Sequence, residues 1–239
     1  MKSLIIIPTY NESENLPLIT EAVFSLPVPG LSLLIVDDNS PDGTGQLAEE
    51  LARQYAGRMF VLHRSGKLGL GTAYISGFKY GLEHGYDAIG QMDADFSHPV
   101  AKIPEFIAAL ESGVELAIGS RYIPGGSLDE RWPAWRKFLS GFGNFYARTI
   151  LRLPIRDVTG GFKLWKSSLL ARMPLDDIRS NGYIFQVEMA YVAYKLAARY
   201  QEIPFYFADR KLGKSKMSVK IQAEAAINVW RLLYIHKHI

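Results

Sequence analysis

The sequence predicts an α/β protein with a mostly parallel, doubly wound sheet, and three observations support this fold class. Short apolar runs rich in Ile, Val and Leu alternate with helical patterns through the first half of the 239-residue chain. The runs are largely continuous rather than alternating in polarity, which is typical of strands buried on both faces. Acidic residues follow three of the runs, at positions that share one edge of such a sheet. Repeated strand–helix units of this kind form parallel sheets with right-handed crossovers.

Predicted strands and helices alternate regularly in the first half. Five apolar runs predict strands at residues 4–7, 31–36, 59–63, 87–92 and 114–119. The stretches between them predict helices at residues 14–24, 45–55, 72–84 and 101–112. Asn11 or Ser13 is expected to cap the first helix, because both residue types accept hydrogen bonds from the first helical N–H groups.

The second half predicts more helix and fewer strands. Its elements are an amphipathic helix at 135–151, a loop at 157–162, a helix at 181–199, a strand at 201–207, a basic loop at 210–216 and a final amphipathic helix at 221–235. Pro204 lies inside the predicted strand and cannot donate a ladder hydrogen bond. That strand is therefore expected at an edge of the sheet.

Charge is distributed unevenly along the chain. Residues 1–120 hold 7 Lys/Arg and 15 Asp/Glu, a balance of −8, whereas residues 121–239 hold 20 and 9, a balance of +11. This asymmetry favours a metal–phosphate site beside an anion-binding surface, although two unlike solvated faces would also produce it. The chain has no cysteine, which excludes disulfides, thiolate metal sites and cysteine nucleophiles and fits a reducing cytosol.

The run Asp93-Ala94-Asp95 carries the clearest chemistry in the sequence. It follows a predicted buried strand, so both carboxylates are expected at the carboxyl edge of the sheet, where open α/β sheets bind ligands. Paired carboxylates suit Mg²⁺ or Mn²⁺, and Mg²⁺ often shares its shell with substrate phosphates. An isolated Asp-x-Asp also occurs in ordinary solvated turns. Glu12 and the pair Asp37-Asp38 follow two other strands, and this clustering favours a nucleotide site.

A glycine-rich segment at residues 66–73 precedes the third predicted helix. Backbone N–H groups at a helix start can hold a phosphate, so the segment is a candidate phosphate cradle. It matches neither the nucleotide-triphosphate loop nor Gly-x-Gly-x-x-Gly, and the glycine signal by itself is weak.

Several further motifs stand at the predicted strand ends and in the second half. They are Pro8-Thr9-Tyr10-Asn11-Glu12, Val36-Asp37-Asp38-Asn39-Ser40-Pro41-Asp42-Gly43-Thr44, Met92-Asp93-Ala94-Asp95-Phe96-Ser97-His98-Pro99, Gly119-Ser120-Arg121-Tyr122, Asp157-Val158-Thr159-Gly160-Gly161-Phe162, Gly182-Tyr183-Ile184-Phe185-Gln186-Val187-Glu188 and Asp209-Arg210 with Gly213-Lys214-Ser215-Lys216. Together they resemble the family 2 glycosyltransferases, and more narrowly the dolichol- or polyprenol-phosphate mannosyltransferases. The resemblance covers about residues 3–218 and does not specify one sugar.

The resemblance implies a Rossmann-like GT-A fold with C-terminal amphipathic helices. The expected organisation is one glycosyltransferase domain over 1–239, with a nucleotide-sugar half at 1–122, an acceptor and interface half at 123–218 and a helix at 219–239. The implied reaction is inverting transfer of a hexosyl group, with GDP-mannose as the expected donor, to dolichyl or undecaprenyl phosphate. Alternatives are the same chemistry with UDP-glucose or an aminoarabinose donor, and a catalytically silent nucleotide-sugar-binding module.

The resemblance also implies roles for individual residues. The base and ribose are expected at Pro8, Tyr10, Glu12, Val36 and Asp38. The donor diphosphate is expected beside Asp93, Ala94 and Asp95, with Mg²⁺ or Mn²⁺ held by Asp93 and Asp95. Arg121, with Arg136 as a second ligand, is expected to hold the acceptor phosphate, so that the expected catalytic residues are Asp95, Arg121 and Arg136. In the basic loop, Arg210 and Lys216 are expected to close over the donor diphosphate.

The segment 131–172 predicts contact with a membrane surface. It holds nine Lys/Arg against one acid, Asp157, and aromatic residues interleave with the basic ones. A helix lying in a membrane interface needs this composition. The same residues could pack on the core with a solvated basic face, or contact nucleic-acid phosphates, but no nucleic-acid motif accompanies them.

The expected location is cytoplasmic, peripheral on the cytoplasmic face of a membrane. The apolar run at residues 4–7 is too short for a signal peptide, and no small-residue cleavage site follows it. No stretch approaches the roughly 20 apolar residues of a membrane span.

Overall fold

The computed structural model describes residues 1–209 and 219–239, with side chains described except at 219–225. The first half contains β1 (Ser3–Thr9), α1 (Leu16–Phe24), β2 (Leu31–Asp37), α2 (Thr44–Gln54), β3 (Met59–His63), α3 (Leu70–Glu83), β4 (Ala88–Gln91), a 3₁₀ turn (Val100–Lys102), α4 (Ile103–Glu111) and β5 (Leu116–Ser120). The second half contains β6 (Ser127–Leu128), α5 (Ala134–Ile150), β7 (Lys163–Lys166), α6 (Ser167–Leu170), α7 (Tyr183–Lys195), β8 (Tyr200–Pro204), β9 (Tyr206–Phe207) and α8 (Val219–Ile235).

The main sheet has seven strands in the order β3-β2-β1-β4-β7-β5-β8. All pairs are parallel except those of β7, which runs antiparallel to both β4 and β5. The mostly parallel, doubly wound sheet is therefore confirmed. The chain winds from β1 toward β2 and β3 on one side and reaches β4 on the other, so a topological switch point lies between β1 and β4.

Helices cover both faces of the sheet, and each face has its own core. Leu4 and Ile6 of β1 belong to the core that includes Phe78 of α3, whereas Ile5 and Ile7 belong to the core that includes α1 and α4. Successive side chains of a strand point to opposite faces. A strand between two cores needs apolar residues at every position, which is why β1 appears as a continuous apolar run.

α3 approaches the sheet closely because two of its residues lack side chains. A Cβ atom on Gly77 would lie 2.7 Å from Ile6 side-chain atoms, and one on Gly81 would lie 2.5 Å from Ile89 Cδ1. Such contacts are far shorter than van der Waals separation. The position of α3, and with it the glycine-rich segment at its start, is therefore fixed by these glycines.

α8 is fastened to the rest of the chain by packing and by one buried polar contact. It lies against α5 and α7. His236, just beyond its end, lies 2.7 Å from Glu188 Oε1 of α7, and both side chains are almost wholly buried. Among the described residues, no helix has the length and apolar character needed to cross a bilayer.

Two local sequence predictions are wrong. α1 begins at Leu16, its N-cap is Asn15, and neither Asn11 nor Ser13 caps it. Asn11 instead adopts a left-handed backbone with φ 62°, and the N–H of Ser13 donates to Asp42. The turn after β1 thus connects to the turn after β2 before the helix starts. The other error is β7, which lies immediately after a predicted loop and was not predicted as a strand.

The predicted strand at 201–207 is divided into β8 and β9 at Phe205. Its expected position at a sheet edge is confirmed, because β8 is the last strand of the main sheet. Pro204 ends β8, and β9 leaves to form a second, two-stranded parallel sheet with β6. This departure carries Phe207 and Asp209 toward the carboxyl edge of the main sheet.

Candidate active site

The carboxyl ends of four main-sheet strands meet at one edge, and most predicted site residues lie at the last positions of these strands or on the turns that follow them. These are Pro8, Tyr10 and Glu12 from β1, Val36 and Asp38 from β2, Asp93, Ala94 and Asp95 from β4, and Arg121 from β5. The register places Pro8 opposite Val36 on neighbouring strands. The structure therefore gathers the predicted nucleoside and diphosphate residues at a single edge.

The Asp93–Asp95 turn is held by hydrogen bonds that fix its carboxylates. Asp95 Oδ1 accepts from the backbone N–H of Ser97 at 3.0 Å and from its hydroxyl at 2.6 Å. The buried hydroxyl of Tyr74 lies 3.3 Å from Asp93 Oδ1. Burial and, after it, the charges of both carboxylates raise the pKa of Tyr74, so this group stays a neutral donor. Tyr74 thus contacts the Asp93 carboxylate directly and lies within the electrostatic influence of Asp95.

His98 supports the same turn from beneath. Its Nδ1 accepts a hydrogen bond from the backbone N–H of Asp93 at 3.1 Å, which leaves the ring proton on Nε2. The ring stacks on Phe162 with a centroid separation of 5.1 Å. Burial lowers the pKa of His98, against the opposing effect of the two carboxylates, and favours the neutral ring. Sequence analysis included His98 only in the motif that follows the fourth predicted strand; the structure makes it a support for Asp93.

The donor set at this turn fits a divalent ion that takes part of its shell from a substrate. Among the residues that the structure describes, no three His, Asp or Glu side chains converge as a complete metal cage. Asp93 and Asp95 supply hard carboxylate oxygens, which suit Mg²⁺ or Mn²⁺. Mg²⁺ in particular commonly binds one or two carboxylates together with substrate phosphates and water. The residues present therefore fit such an ion bound with a diphosphate.

The two acids after β2 have different partners. Asp37 accepts from the hydroxyls of Thr9 at 3.0 Å and Ser40 at 2.6 Å, which ties the ends of β1 and β2 together. Asp38 Oδ1 lies 3.2 Å from Arg64 Nη1, and both side chains are buried. Burial raises the pKa of Asp38, and the ion pair with Arg64 opposes that rise. Asp37 is therefore a structural brace, whereas Asp38 is paired with a cation from the turn after β3.

Arg64 was missed by sequence reasoning. It follows β3 and, besides Asp38, donates from Nη2 to the Thr72 hydroxyl at 2.7 Å. It thereby connects the β2 edge to the glycine-rich segment at 66–73. An unpaired buried carboxylate is costly, so the sequence signal was the need of Asp38 for a cation. Pattern alone did not choose among Arg58, Arg64 and Lys67.

The glycine-rich segment packs against residues 180–181 and also contacts Tyr10. A Cβ on Gly71 would lie 2.3 Å from the Ser180 carbonyl oxygen, and one on Gly69 would lie 2.6 Å from Asn181 Oδ1. These glycines therefore allow close packing of α3 on residues 180–181. Lys67 Nζ lies 4.1 Å from the centroid of the Tyr10 ring, a cation–π contact that covers the predicted base-binding tyrosine.

Arg121 is buried in a bidentate ion pair with Asp157. Its Nε donates to Asp157 Oδ2 at 2.7 Å and its Nη2 donates to Oδ1 at 2.8 Å and to the Thr159 hydroxyl at 2.9 Å. Burial raises the pKa of Asp157, but the Arg121 charge and hydrogen bonds outweigh it, and the pKa lies below its usual value. These bonds leave Nη1 as the edge of the guanidinium that can meet a ligand.

Arg136 lies on α5, where it contacts Trp132 and Asp209. Its guanidinium carbon is 3.5 Å from the Trp132 ring centroid. Arg136 Nη1 and Trp132 Nε1 donate to the same oxygen, Asp209 Oδ1, at 3.2 and 3.0 Å. The Phe207 ring lies 5.3 Å from the Arg121 guanidinium, and its centroid lies 5.6 Å from that of the Trp132 ring, so it packs beside both residues. Arg210 and Lys216, the predicted loop ligands, lie outside the described residues.

A buried polar network lies behind the carboxylate turn and was not predicted. Lys163 Nζ donates to Gln186 Oε1 at 2.9 Å, and Gln91 Nε2 donates to the same oxygen at 3.3 Å. Trp165 Nε1 donates to Gln91 Oε1 at 2.9 Å. Burial lowers the pKa of Lys163 to about 7, although Asp157 opposes the shift. Buried polar groups ordinarily have all their hydrogen bonds formed. Any unsatisfied group in this network is therefore a candidate contact for a ligand at the neighbouring site.

Comparison with known proteins agrees with this architecture. The family model described as Glycosyl transferase family 2 matches residues 4–173. The chain is 43% identical over 228 residues to the polyprenol monophosphomannose synthase of Mycolicibacterium smegmatis, covering 95% of this chain and 85% of that protein. It is 46% identical over 231 residues to the undecaprenyl-phosphate mannosyltransferase of Micrococcus luteus, covering 97% and 93%.

Solved structures give the same fold at lower identity. Glucosyl-3-phosphoglycerate synthase from Mycobacterium tuberculosis, in complex with Mn²⁺, UDP and phosphoglyceric acid, superposes with a TM-score of 0.69 at 15% identity, covering 98% of this chain and 78% of that one. The same synthase with Mg²⁺ and UDP gives 0.67 at 16% identity, with 98% and 79% coverage. At these identities the likeness concerns the fold alone.

Proposed function

Because the chain belongs to glycosyl transferase family 2, we propose that it transfers a mannosyl group from GDP-mannose to a polyprenyl phosphate, with inversion at the anomeric carbon. The observation that carries this proposal is the 43–46% identity, over nearly the whole chain, to two relatives named for mannosyl transfer to polyprenyl carriers. The gathered carboxylates and arginines at one sheet edge supply groups suited to that chemistry.

The donor binds across the switch point between β1 and β4. Pro8, Tyr10, Glu12, Val36 and Asp38 hold the base and ribose, with Tyr10 as the stacking surface. Arg64 and Lys67 add positive charge beside them. Residues 1–122 thus form the nucleotide-sugar half, 123–218 the acceptor half and 219–239 a supporting helix of one domain.

Asp93, with Ala94 beside it, and Asp95 hold the diphosphate through Mg²⁺ or Mn²⁺, which neutralises charge on the leaving group when it is bound. The protein keeps the two carboxylates in place through Ser97 and His98, so the site requires little rearrangement. We assign Arg210 and Lys216 to binding of the same diphosphate.

The acceptor phosphate binds between Arg121 and Arg136 and attacks in line. One of its oxygens forms a bond to the anomeric carbon while the bond from that carbon to the diphosphate oxygen breaks and its electron pair leaves with the diphosphate. A phosphate monoester has a second pKa near 6 and is mostly ionised at pH 7, so it needs no general base. The Asp209 carboxylate now on Arg136 gives way to this phosphate.

The lipid part of the acceptor requires contact with a membrane, and α5 and α8 offer a surface for it. α5 exposes Trp135, Phe138, Phe142 and Phe145, and α8 exposes Ile227, Trp230, Tyr234 and Ile235. The helices are joined where Trp230 Nε1 donates to the Tyr146 hydroxyl at 2.9 Å. Exposed aromatic residues beside basic ones suit the interface of an anionic membrane, here the cytoplasmic face.

A transfer assay tests the proposal directly. Purified protein is incubated with Mg²⁺ or Mn²⁺, an undecaprenyl phosphate in detergent or vesicles, and a panel of radiolabelled nucleotide sugars. The expected result is lipid-extractable label from GDP-mannose and little from UDP-glucose. Transfer from UDP-glucose alone would replace the sugar assignment. Binding of donors without any lipid product would favour a silent nucleotide-sugar-binding module.

A further inference from the structure

The buried amide of Gln186 has an unusual hydrogen-bond pattern. The side chain belongs to α7, and only 3% of the residue is exposed. Its oxygen accepts two hydrogen bonds, whereas its nitrogen has no hydrogen-bond partner among the described residues. An unsatisfied buried donor is costly, and in native proteins such groups are rare and often functional.

The orientation of this amide is dictated by its neighbours. The Trp165 indole N–H can only donate, so the oxygen of Gln91 must face it, and the nitrogen of Gln91 must face Gln186. Lys163 Nζ donates to the same atom of Gln186. Two donors therefore require the Gln186 oxygen on their side. The Gln186 nitrogen is left as a donor on the other side.

That other side is the active site. A Cβ placed on Gly161 would lie 3.5 Å from Gln186 Nε2, 3.5 Å from His98 Cε1 and 3.9 Å from Asp93 Oδ1. Gly161 therefore separates the unpaired donor from the carboxylate turn. Because glycine has no side chain, the space that this Cβ would occupy, between the turn and the amide nitrogen, stays open.

A ligand atom that binds this donor must accept a hydrogen bond and must not be repelled by the nearby Asp93 carboxylate. A bare phosphate oxygen is repelled by Asp93 unless a cation intervenes, whereas a hydroxyl oxygen is neutral and can also donate to a carboxylate. We propose that Gln186 Nε2 donates a hydrogen bond to a hydroxyl of the transferred hexose, and that Gly161 lacks a side chain so that this hydroxyl can reach it. This assignment rests on the proposed glycosyl transfer.

Two variants test the contact in different ways. Gly161→Ala leaves the polar network intact, and its methyl group meets only ordinary contacts of 3.5 Å or more, so the fold is retained. Gln186→Met removes the donor itself. Gly143→Ala and Gln201→Met are the matched controls, because both positions are exposed and far from the network.

The measurement is the ratio of dissociation constants for GDP-mannose and GDP, each with Mg²⁺, by titration calorimetry. A contact to the hexose affects only the first of the two. We expect both test variants to raise the ratio about tenfold and both controls to leave it unchanged. An unchanged ratio in folded Gly161→Ala and Gln186→Met protein, judged by thermal melting, would overturn the assignment.

Monodeoxy donors locate the hydroxyl and separate this inference from the proposed function. We expect one deoxy-mannose donor to bind wild type about tenfold more weakly than GDP-mannose and to bind Gln186→Met no more weakly than GDP-mannose does. Equal losses in both proteins for every deoxy donor would overturn the contact. Failure of wild type to form any lipid-linked sugar would instead refute the proposed function, and the binding comparison would still report on the hexose contact.

Discussion

Arg121 and Arg136 both lie near the Trp132 and Phe207 rings, but the protein holds them in opposite ways. Arg121 is 6% exposed in its side chain and is tied by two N–H groups to a fully buried carboxylate. Arg136 is 27% exposed and stacks on Trp132, and Asp209, its ion-pair partner, is itself 38% exposed. The first arginine is part of the frame of the site. The second can exchange its partner for a ligand at small cost, because exposed ion pairs contribute little stability.

The largest expected effect comes from breaking the buried pair. Asp157→Asn leaves the Arg121 charge buried without compensation, and we expect a loss of about 3–5 kcal/mol in the free energy of unfolding. Urea denaturation measures it. The control is Glu105→Gln, which removes the exposed pair with Lys102 and should cost less than about 1 kcal/mol. Equal effects of the two substitutions would contradict the distinction between frame and exchangeable pair.

The same pair predicts a pH dependence with a definite sign. The folded-state pKa of Asp157 is lowered, so the ionised carboxylate stabilises the folded state. This contribution to the free energy of unfolding is fully present above the unfolded-state pKa of about 4 and is lost as pH falls toward the folded-state value. Wild-type stability should therefore fall below about pH 4 more steeply than that of Asp157→Asn. Denaturation at a series of pH values checks this; parallel curves would remove Asp157 as the cause.

Asp95 belongs to the frame by position but acts on the ligand. We expect Asp95→Asn to lower the transfer rate about 10²-fold or more while leaving the fold intact, because the leaving diphosphate loses charge stabilisation. Transfer assays and thermal melting together measure this. Ser97→Ala, which removes only the supporting hydroxyl, is the graded control and should cost less. Near-normal turnover by folded Asp95→Asn would refute the metal assignment.

Arg136 should reveal its exchangeable character in kinetics rather than in stability. We expect Arg136→Ala to raise the KM for polyprenyl phosphate about tenfold, with the KM for GDP-mannose unchanged and the stability changed by less than about 1 kcal/mol. Lys137→Ala removes the neighbouring positive charge of α5, whose ammonium donates to the Glu130 carbonyl at an exposed position, and is the control. A rise in the KM for GDP-mannose instead would show that Arg136 binds the donor and would contradict its assignment to the acceptor phosphate.

The smallest expected effect concerns the membrane surface. Arg136→Glu with Lys137→Glu should reduce flotation with anionic vesicles several-fold, since an anionic surface attracts basic residues and the exposed aromatic residues of α5 and α8 remain to bind it. Lys79→Glu with Lys102→Glu, on α3 and at the start of α4, is the matched charge reversal. Equal flotation of the two double variants would exclude α5 as the contacting surface.

The sequence allowed prediction of those features that depend on local pattern. β1 and β2 were evident because strands between two cores are apolar throughout, and the Asp93–Asp95 turn was evident because its chemistry is carried by adjacent residues. α5 was found nearly to the residue, since its apolar stripe has helical spacing.

What could not be predicted depends on contacts between distant parts of the chain. β7 has four residues and begins with a lysine, and only its place between β4 and β5 makes that sequence a strand. Lys163 can be buried there because Gln186 Oε1, 23 residues away, accepts a hydrogen bond from its Nζ. Arg64 and His98 likewise acquire their roles from Asp38 and Asp93. Single-residue propensities contain none of these pairings.

The position of β7 in the sheet also sets the order in which the chain can fold. β3, β2, β1 and β4 lie side by side in that order and can pair once about 90 residues have been synthesised. β5 has no neighbour in the sheet until β7 and β8 have been synthesised. During synthesis, the nucleoside side of the site can therefore assemble while the exposed edge of β4 waits for residues 163–166. Until β7 forms, that edge is open to wrong pairing with another chain.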